Sequence, residues 1–412
     1  MSDLIEQYQV VVGVEAIDQL YQLAKPLKGK KIVHVNSTRS GGGVAEILNK
    51  MVPLTQHLGI DTAWEVIEGP PEFYDRTKSF HNALQGDRII IPPSNLQLFE
   101  YVNHANALRL RDQLEAADVV MIHDPQPVAL IEHCPNRKGK WIWRCHIDAS
   151  RPFWPVWKYI SKFASQYDAS IFSLAEFAHQ LPIPMYIIPP SIDPLSEKNI
   201  DLEQHEIDGV LAQYNIDSNR PLITQISRFD RFKDPVGVIR AYSMAKKFNP
   251  EIQLLLAGGG AADDPEGQAV FDEVKALGET DPDLHILMLP DKADRAVNAL
   301  QRASAIIIQK SVKEGFGLTV TEGLWKGKPV IGGAVGGIKL QVINGQTGHL
   351  VHTPEGAAYW MRYLLQHPEK GAAMGARGKE FVRSKFLSTR QLREYLTLIY
   401  SLGFEDGDRI EL

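Results

Sequence analysis

Short apolar runs alternate with longer amphipathic stretches through both halves of the 412-residue chain. A parallel strand is buried on both faces, so it appears in sequence as a short apolar run, and the helix that crosses back appears as an amphipathic segment. The alternation therefore predicts an α/β fold built on parallel sheets. Strands are predicted at residues 31–36, 63–67, 119–123, 141–146, 170–173, 186–188, 222–226, 253–257, 285–289, 305–308 and 329–331.

The length of the chain and one turn-rich segment predict two domains. A chain of 412 residues exceeds the usual size of one core, and the polar, proline-rich segment 189–198 is a natural linker. We predict an N-terminal domain over residues 1–190, completed by a C-terminal helix within 388–412, and a C-terminal domain over 191–387. Both are predicted to be doubly wound, Rossmann-like domains facing a central cleft, with ligands beyond the carboxyl ends of the strands. Helices are predicted at 44–57, 106–116, 156–165, 235–247, 318–326 and 389–402.

Charge and composition exclude several classes of function. A net charge of −6 argues against a nucleic-acid-binding surface. The two cysteines, Cys134 and Cys145, are too few for a disulfide scaffold or a zinc site. We expect no signal segment, because the first residues, MSDLIE, are not a basic segment followed by an apolar one, and no apolar run approaches the ~20 residues of a membrane span. We expect a cytoplasmic protein that acts on small molecules, with no membrane partner.

Two glutamates eight positions apart flank a glycine loop in the segment 314–322, EGFGLTVTE. The loop lies between a predicted strand and a predicted helix, which is a ready site for phosphate-bearing ligands, and Gly315 and Gly317 lack a Cβ that would hold a ligand away. Glu314 would accept hydrogen bonds from sugar hydroxyls. Glu322, about one turn into the helix, would reach the ribose of the same nucleotide. The alternative is an ordinary loop with two solvent-facing glutamates.

Two cations, Arg228 and Lys233, follow the predicted strand 222–226. At the carboxyl end of a strand their charges can neutralise a diphosphate leaving group. A solvated surface pair is the alternative interpretation, but the position at a strand end favours a functional role.

Three glycines, Gly41 to Gly43, follow the first predicted strand. At a strand-to-helix turn they would free backbone N–H groups to bind an anion or a sugar oxygen. With Glu46 and Asp61 they also offer part of the fingerprint of an NAD-dependent dehydrogenase. The third glycine of that fingerprint is missing, however, and Asp61 precedes the second strand rather than ending it. A glycine turn without a ligand would also account for the segment.

Polar side chains end two other strands of the predicted N-terminal domain. His146 and Asp148 lie where the strand 141–146 leaves the sheet, and Asp124 follows the strand 119–123. A single histidine in an apolar run is usually a core residue, and a proline-rich turn accounts equally well for Asp124. The position of His146 at a strand end favours a role in the cleft, where Asp124 could bind the hydroxyls of an acceptor.

No metal site is predicted. The D-x-D pattern of metal-dependent sugar transferases occurs at residues 281–283 and 406–408, in turn-like or terminal sequence where aspartates commonly form turns. Lys328, after Gly323, resembles the lysine of a phosphate-binding loop, but the spacing differs and Pro329 follows it.

Together these motifs resemble those of the retaining GT-B glycosyltransferases of family GT4. The matches, in chain order, are the glycine loop 41–43, a first-domain histidine at His146, an Arg-x4-Lys pair at Arg228 and Lys233, and an E-x7-E element at Glu314 and Glu322. Within that family, the segments HVNST, GGGVAEIL, FHNALQG, HDPQPVALIE, WIWRCHID, PPSIDPLSEKN and EGFGLTVTE are similar to the glycosyltransferring trehalose synthases. The resemblance covers nearly the whole chain. One departure is Gly333, where the synthases suggest an arginine.

The resemblance implies reversible transfer of glucose from an NDP-glucose to free glucose, giving α,α-trehalose without a metal or other cofactor. Trehalose phosphorylases, which use glucose 1-phosphate, are the nearest rival. Three less favoured functions are a GT4 glucosyltransferase with a different acceptor, an NAD-dependent dehydrogenase and an inactive sugar-nucleotide sensor. A homodimer is compatible with this class.

The resemblance also implies roles for individual residues. Those expected to be catalytic are Arg228, Lys233, Glu314 and His146. Those expected to bind the donor are Gly42, Gly43, Arg228, Lys233, Glu314, Gly315, Phe316, Gly317, Leu318 and Glu322. Those expected to bind the acceptor are Glu46, Asp124 and Asp148.

Overall fold

The computed structural model describes residues 4–39, 42–259, 265–290 and 292–403. The chain divides into two compact units, Met1–Ser191 with Ser388–Leu412, and Ile192–Leu387. The first boundary therefore lies one residue beyond the end predicted for the N-terminal domain.

The first unit is a six-stranded, wholly parallel sheet with helices packed on it. The elements are α1 (Leu4–Val12), α2 (Val14–Ala24), β1 (Lys31–Asn36), α3 (Gly42–His57), β2 (Asp61–Val66), α4 (Pro71–Leu84), α5 (Pro93–Ala116), β3 (Val119–His123), β4 (Lys140–Cys145), α6 (Trp154–Ala164), β5 (Ala169–Phe172) and β6 (Met185–Ile187). The strand order is β2-β1-β3-β4-β5-β6. The inner strands β3 and β5 are buried along their whole length, whereas the edge strand β6 is partly exposed.

The second unit is also built on a six-stranded parallel sheet. Its elements are α7 (Gln204–Gln213), β7 (Leu222–Ile226), α8 (Pro235–Lys246), β8 (Gln253–Gly259), α9 (Pro265–Gly278), β9 (Leu284–Leu289), α10 (Asp294–Ala303), β10 (Ile306–Gln309), α11 (Leu318–Trp325), β11 (Val330–Gly333), α12 (Ile338–Gln341), β12 (Gly348–Val351), α13 (Pro354–Gln366) and α14 (Pro368–Lys385). The strand order is β12-β11-β10-β7-β8-β9. Both sheets have a point where the strand order reverses, between β1 and β3 in the first unit and between β7 and β10 in the second. Ligands of such sheets bind at the carboxyl edge of this switch point.

The last helix, α15 (Ser388–Ser401), belongs to the first unit and packs against α2 and α3. Its first turn is joined to the end of the N-terminal segment. Arg390 donates hydrogen bonds to the carbonyl oxygens of Pro189, at 2.9 Å, and Pro190, at 3.1 Å. The hydroxyl of Ser191 donates to the amide oxygen of Gln391. The part of the predicted C-terminal segment beyond residue 403 lies outside the described residues.

The predicted fold class, two doubly wound parallel sheets, is confirmed, and each predicted strand is present within two residues of its predicted ends. The sequence analysis missed the edge strand β12 and gave no bounds for nine helices: α1, α2, α4, α7, α9, α10, α12, α13 and α14. It also started α5 at residue 106 instead of Pro93, because asparagines interrupt the apolar period of this helix. Asn103 and Asn106 are buried, and the side-chain N–H groups of both donate to backbone carbonyls.

The first D-x-D pattern forms a turn and an ion-pair network rather than an isolated carboxylate pair. Asp281 accepts a hydrogen bond from the backbone N–H of Asp283 at 3.0 Å. Asp283 accepts from Arg220 at 2.7 Å and from Lys246 at 2.8 Å, and Lys246 also contacts Asp281. These two cations hold the pKa of Asp283 well below its usual range. Asp406 and Asp408, the second pattern, lie outside the described residues. Within the described ranges no helix is long and apolar enough to cross a membrane.

Replacing Asp283 with Asn should lower the free energy of unfolding by about 1–3 kcal/mol at pH 7, the scale of hydrogen bonds to charged groups. The pKa of Asp283 is lower in the folded than in the unfolded state, so its contribution is present above about pH 4 and is lost as the pH falls further. The difference in the free energy of unfolding between wild type and Asp283→Asn should therefore become smaller in acid, which denaturant unfolding from pH 7 to pH 3 measures. Glu251→Gln is the control, because Glu251 is 78% exposed and lies 3.7 Å from the same Arg220. An equal loss in both variants would contradict the assignment.

Candidate active site

The carboxyl ends of β7 and β10, the two strands at the switch point of the second unit, carry the two charged motifs. Lys233 ends a single 3-10 turn after β7, and Glu314 lies in the loop after β10. The Lys233 ammonium donates to Oε2 of Glu314 at 2.7 Å, and the hydroxyl of Ser311 donates to the same oxygen at 3.1 Å. Both charged side chains are largely buried. The predicted leaving-group cation and the predicted sugar-binding carboxylate are thus one ion pair. Sequence analysis named both but missed the pairing and Ser311.

Polar contacts between the two loops hold this ion pair in place. Gln225, on β7, donates to the carbonyl of Lys233 at 3.1 Å and accepts from the backbone N–H of Lys310 at 3.3 Å. Asp234 has a left-handed backbone conformation, with φ 49°, and caps α8 by accepting from the N–H of Gly237 at 3.1 Å. Its other carboxylate oxygen is paired with the buried Lys310 ammonium. These contacts join the β7 and β10 loops independently of the ion pair between Lys233 and Glu314.

Arg228 has a different environment from Lys233. Its side chain is 64% exposed, and its guanidinium donates to Asp230 at 3.2 Å. Asp230 also accepts from the backbone N–H of Phe232 at 2.7 Å, which holds the carboxylate in place. Arg228 is therefore the predicted cation that solvent, and an anionic ligand, reaches directly.

Two glycine loops lie against each other at this edge of the sheet. Gly317 caps α11 with φ 84°, and Gly336 has φ 45° and approaches the loop of Glu314 so closely that a Cβ would lie 1.7 Å from the Glu314 carbonyl oxygen. The N–H of Gly337 donates to the carbonyl of Gly315 at 2.9 Å. A side chain at Gly336 is therefore excluded by its backbone conformation and by the facing loop. Sequence analysis did not assign Gly336 or Gly337, although a second glycine cluster after a predicted strand was the available signal.

The same packing explains Gly333, the departure from the synthase pattern. A Cβ at Gly333 would lie 2.1 Å from the carbonyl oxygen of Ser311. This backbone leaves no room for an arginine. Phe316, predicted to bind the donor, has a buried side chain whose ring lies 5.7 Å from that of Phe386. Its side chain is therefore a core element, and the half-buried Leu318 is the first residue of α11.

Glu322 lies within α11 and is only 2% exposed. Its Oε2 accepts from the amide of Gln301 at 3.1 Å, and its Oε1 lies 3.8 Å from the ammonium of Lys198. One turn on, Lys326 donates to the amide oxygen of Asn199 at 3.2 Å, and burial lowers the pKa of Lys326 to about 7. Glu322 is thus a buried anion among cations, and a ribose would have to share it with these partners. Lys198 and Gln301 were missed. Lys198 lies in the motif segment PPSIDPLSEKN, which was the signal for it.

In the first unit, the described part of the glycine loop begins α3. Gly42 and Gly43 are the first two residues of that helix, the half-buried Glu46 follows within its first turns, and Gly41 lies outside the described residues. Asp61 is the first residue of β2 and pairs in register with Lys31, the first residue of β1. The glycines follow the carboxyl end of β1, so Asp61 lies at the opposite edge of the sheet, about 17 Å away over a strand of six residues. Asp61 is therefore too far from these glycines to bind the ribose of a nucleotide held there, which argues against an NAD-dependent dehydrogenase.

The ends of β3 and β4 bring together the remaining predicted residues. Asp124 has a left-handed backbone, with φ 66°, and accepts from the backbone N–H of His146 at 2.8 Å. Burial raises the pKa of Asp124 to about 6. Asp148 is buried and accepts from the N–H of Ser150 at 3.0 Å. In each aspartate, one carboxylate oxygen therefore accepts a hydrogen bond from a backbone N–H. The ring of His146 is half-buried and lies within 3.0 Å of His123, whose position in the site sequence analysis did not assign.

Over the described parts of the chain, no group of three or more His, Cys, Asp or Glu side chains is placed to bind a metal ion. Cys134 and Cys145 are both buried free thiols.

Two Rossmann-like units, with an Arg, Lys and Glu set at the switch point of the second, define a glycosyltransferase. Residues 208–381 match the family Glycosyl transferases group 1, and residues 34–179 match the family Trehalose synthase, N-terminal domain. The trehalose synthase of Pyrococcus horikoshii is 47% identical over 404 residues, which cover 97% of this chain and 96% of that protein. The chain belongs to the trehalose synthase family, as its motifs predicted.

Two further comparisons separate sequence likeness from likeness of fold. A trehalose phosphorylase of Pleurotus pulmonarius is 29% identical, over 85% of this chain but only 54% of that enzyme. The structure of a UDP-forming α,α-trehalose-phosphate synthase from Burkholderia xenovorans, in complex with glucose-6-phosphate, has a TM-score of 0.71. It covers 90% of this chain and 100% of that one at 13% identity, which shows a shared fold.

Arg228→Ala and Lys233→Ala are each expected to lower kcat for glycosyl transfer by about 10²–10³, the usual effect of removing one preorganised charge at a leaving group. Only Lys233→Ala should also lower the melting temperature clearly, because it leaves Glu314 buried without its cation. Arg231→Ala is the matched control, since Arg231 is 66% exposed and lies 3.7 Å from Glu273. Near-normal turnover in both Arg228→Ala and Lys233→Ala would rule out these roles.

Glu322→Gln is expected mainly to raise KM for the donor, whereas Glu314→Gln should lower kcat as well. A ribose contact changes little during the reaction, while a contact to the reacting sugar changes as its ring distorts. Glutamine preserves side-chain volume, so both variants should remain folded. Steady-state kinetics with varied donor separate the two effects, and the reverse pattern would exchange the roles of the two glutamates.

Proposed function

We propose that this protein transfers glucose from an NDP-glucose to free glucose, giving α,α-trehalose and NDP, reversibly and with retention of the α configuration. The observation that carries the proposal is the likeness to a trehalose synthase over 97% of the chain. The nucleotide donor is supported by the charged and glycine-rich loops at the β7–β10 switch point, where sheets of this order bind nucleotides.

The donor diphosphate is assigned to Arg228, Lys233 and the N-terminus of α11. Arg228 supplies an accessible guanidinium, and the N–H groups after Gly317 add the partial positive charge of a helix start. The Lys233 ammonium is held by Glu314 and has two further N–H groups to offer a phosphate oxygen. These cations stabilise the charge that develops as the bond from C1 to the phosphate oxygen breaks. Because protein cations supply that charge, we propose a metal-independent transfer.

The reaction is proposed to take place on one face of the sugar. The bond from C1 to the leaving phosphate oxygen breaks, and the acceptor oxygen bonds to C1 from the same side through an oxocarbenium-like transition state. The acceptor proton passes to the departing phosphate oxygen, so no protein base is required. Glu314 can offer its Oε1 to a glucose hydroxyl, since its hydrogen bonds from Lys233 and Ser311 both go to Oε2. This assignment makes Glu314 a sugar-binding group rather than a nucleophile.

The sugar contacts of the first unit are assigned to the loops that follow β1, β3 and β4. His146 would bind the 6-hydroxyl side of the donor glucose, and Asp124, Asp148 and Glu46 would bind acceptor hydroxyls. Asp124 and Asp148 keep carboxylate oxygens beyond those used on the backbone N–H groups. The cytoplasmic location and the homodimer stay predictions from the sequence.

The decisive experiment is incubation with ADP-, UDP- or GDP-glucose and free glucose, with chromatography of sugars and nucleotides. A synthase forms trehalose and the matching NDP, and it forms NDP-glucose from trehalose plus NDP. A chelator should leave both directions unchanged. The matched control supplies trehalose with inorganic phosphate and no nucleotide. Release of glucose 1-phosphate there, without any nucleotide-dependent reaction, would overturn the proposal in favour of a phosphorylase.

A further inference from the structure

Three histidines form a continuous hydrogen-bonded chain across the first sheet. His34 lies within β1, His123 ends β3 and His146 follows β4, and these three strands are neighbours. Nδ1 of His34 lies 3.0 Å from Nε2 of His123, and Nδ1 of His123 lies 3.0 Å from Nε2 of His146. His34 and His123 are buried, and only the last ring, that of His146, is half-buried.

The surroundings keep this chain uncharged. Burial lowers the pKa of His34 to about 4. Burial is the main reason why the pKa of His123 lies well below 6.5, and positive charge on His34, His146 or Arg144 lowers it further. Burial also lowers the pKa of His146 well below 6.5, and the guanidinium of Arg144 adds to the effect. Arg144 is itself fully buried on β4, next to His123 in the strand register. The carboxyl group of Asp124 faces the same end of the chain, through its bond to the His146 amide.

A chain of three neutral imidazoles has only two fully hydrogen-bonded states. Each ring carries one N–H, and each of the two hydrogen bonds requires one hydrogen. Either all three protons lie on Nδ1, so that Nδ1–H of His146 points out of the chain as a donor, or all three lie on Nε2, so that Nδ1 of His146 is an acceptor. In either state, the tautomer of His146 is therefore the same as that of His123 and of His34.

We propose that His34 and His123 are positioning residues that fix the orientation and the tautomer of the His146 ring, and so decide whether its Nδ1 is offered to the sugar as a donor or as an acceptor. This inference rests on the proposed role of His146 in substrate binding. It extends the site to His34, two rings away from the sugar contact. His34 acts only through His123, so it touches no substrate in this arrangement.

The test compares His34→Asn with His34→Leu. The amide of Asn occupies the place of the histidine Nδ1 and keeps a hydrogen bond to His123, whereas Leu fills a similar volume without one. His34→Leu should lower kcat/KM for the donor about tenfold, the scale of one lost hydrogen bond, and His34→Asn should restore most of it. His104→Leu is the control, because His104 pairs with His133 on the exposed surface.

The second readout is the ¹⁵N spectrum of histidine-labelled protein, in which the shifts of Nδ1 and Nε2 report the tautomer of each ring. His34→Leu should move the His146 signals, and the Asn variant should not. Equal losses in the two variants with unchanged His146 signals would reduce His34 to a packing residue and overturn the inference, as would full activity of His34→Leu. If no sugar nucleotide is turned over but the His146 signals still respond to His34→Leu, the proposed function fails while the coupling of the three rings stands.

Discussion

In a parallel sheet, the chain must return to the amino edge before it can begin the next strand. The loops that follow the strands therefore all leave the sheet at its carboxyl edge. Over the residues that the structure describes, the sheets of both units contain parallel strands only. Loops that are far apart in sequence are therefore delivered to a common edge, and where the strand order reverses they diverge and leave a crevice. In the second unit this constraint places the loop after β7 beside the loop after β10. Lys233 and Glu314 meet for that reason, although they are 81 positions apart in the chain.

Electrostatics then decides how the residues at this edge are arranged. A carboxylate removed from water is strongly destabilising unless a cation or several hydrogen bonds accompany it. Glu314 is matched by Lys233 and Ser311, and Glu322 by Gln301 and Lys198. In the first unit the buried histidines are neutral instead. Each hydrogen bond between them joins the N–H of one ring to the unprotonated nitrogen of the next. The two units thus offer a ligand different chemistry: fixed charges in the second unit, and neutral donors and acceptors beside two aspartates in the first.

Local pattern was sufficient for elements whose burial is simple. The strand 119–123 is apolar at four of its five positions and the strand 222–226 at three, and both are buried throughout. Their predicted and observed ends agree. Pattern failed where a buried polar residue is satisfied by distant backbone. Asn103 and Asn106 interrupt the apolar face of α5, yet they bond to carbonyls, among them those of Gln126 and Glu68. The edge strand β12 was missed for another reason: its four residues, which begin with a glycine, are too few to show a recognisable strand pattern.

The sequence by itself determined the α/β class, the order of the strands along the chain and the identities of Arg228, Lys233, Glu314, Glu322 and His146 as site candidates, because these depend on residue type and on spacing within single loops. Only the tertiary structure decided which of them share a bond. Nothing in the spacing of 228, 233 and 314 distinguishes the solvent-facing Arg228 from the paired Lys233, since that depends on packing between β7 and β10. Nor does it reveal that Gly333 and Gly336 must lack side chains, which is set by the facing backbone of Ser311 and Glu314. Contacts between residues on different strands depend on how the strands are arranged in the sheet, and the spacing of residues along the sequence does not give those distances.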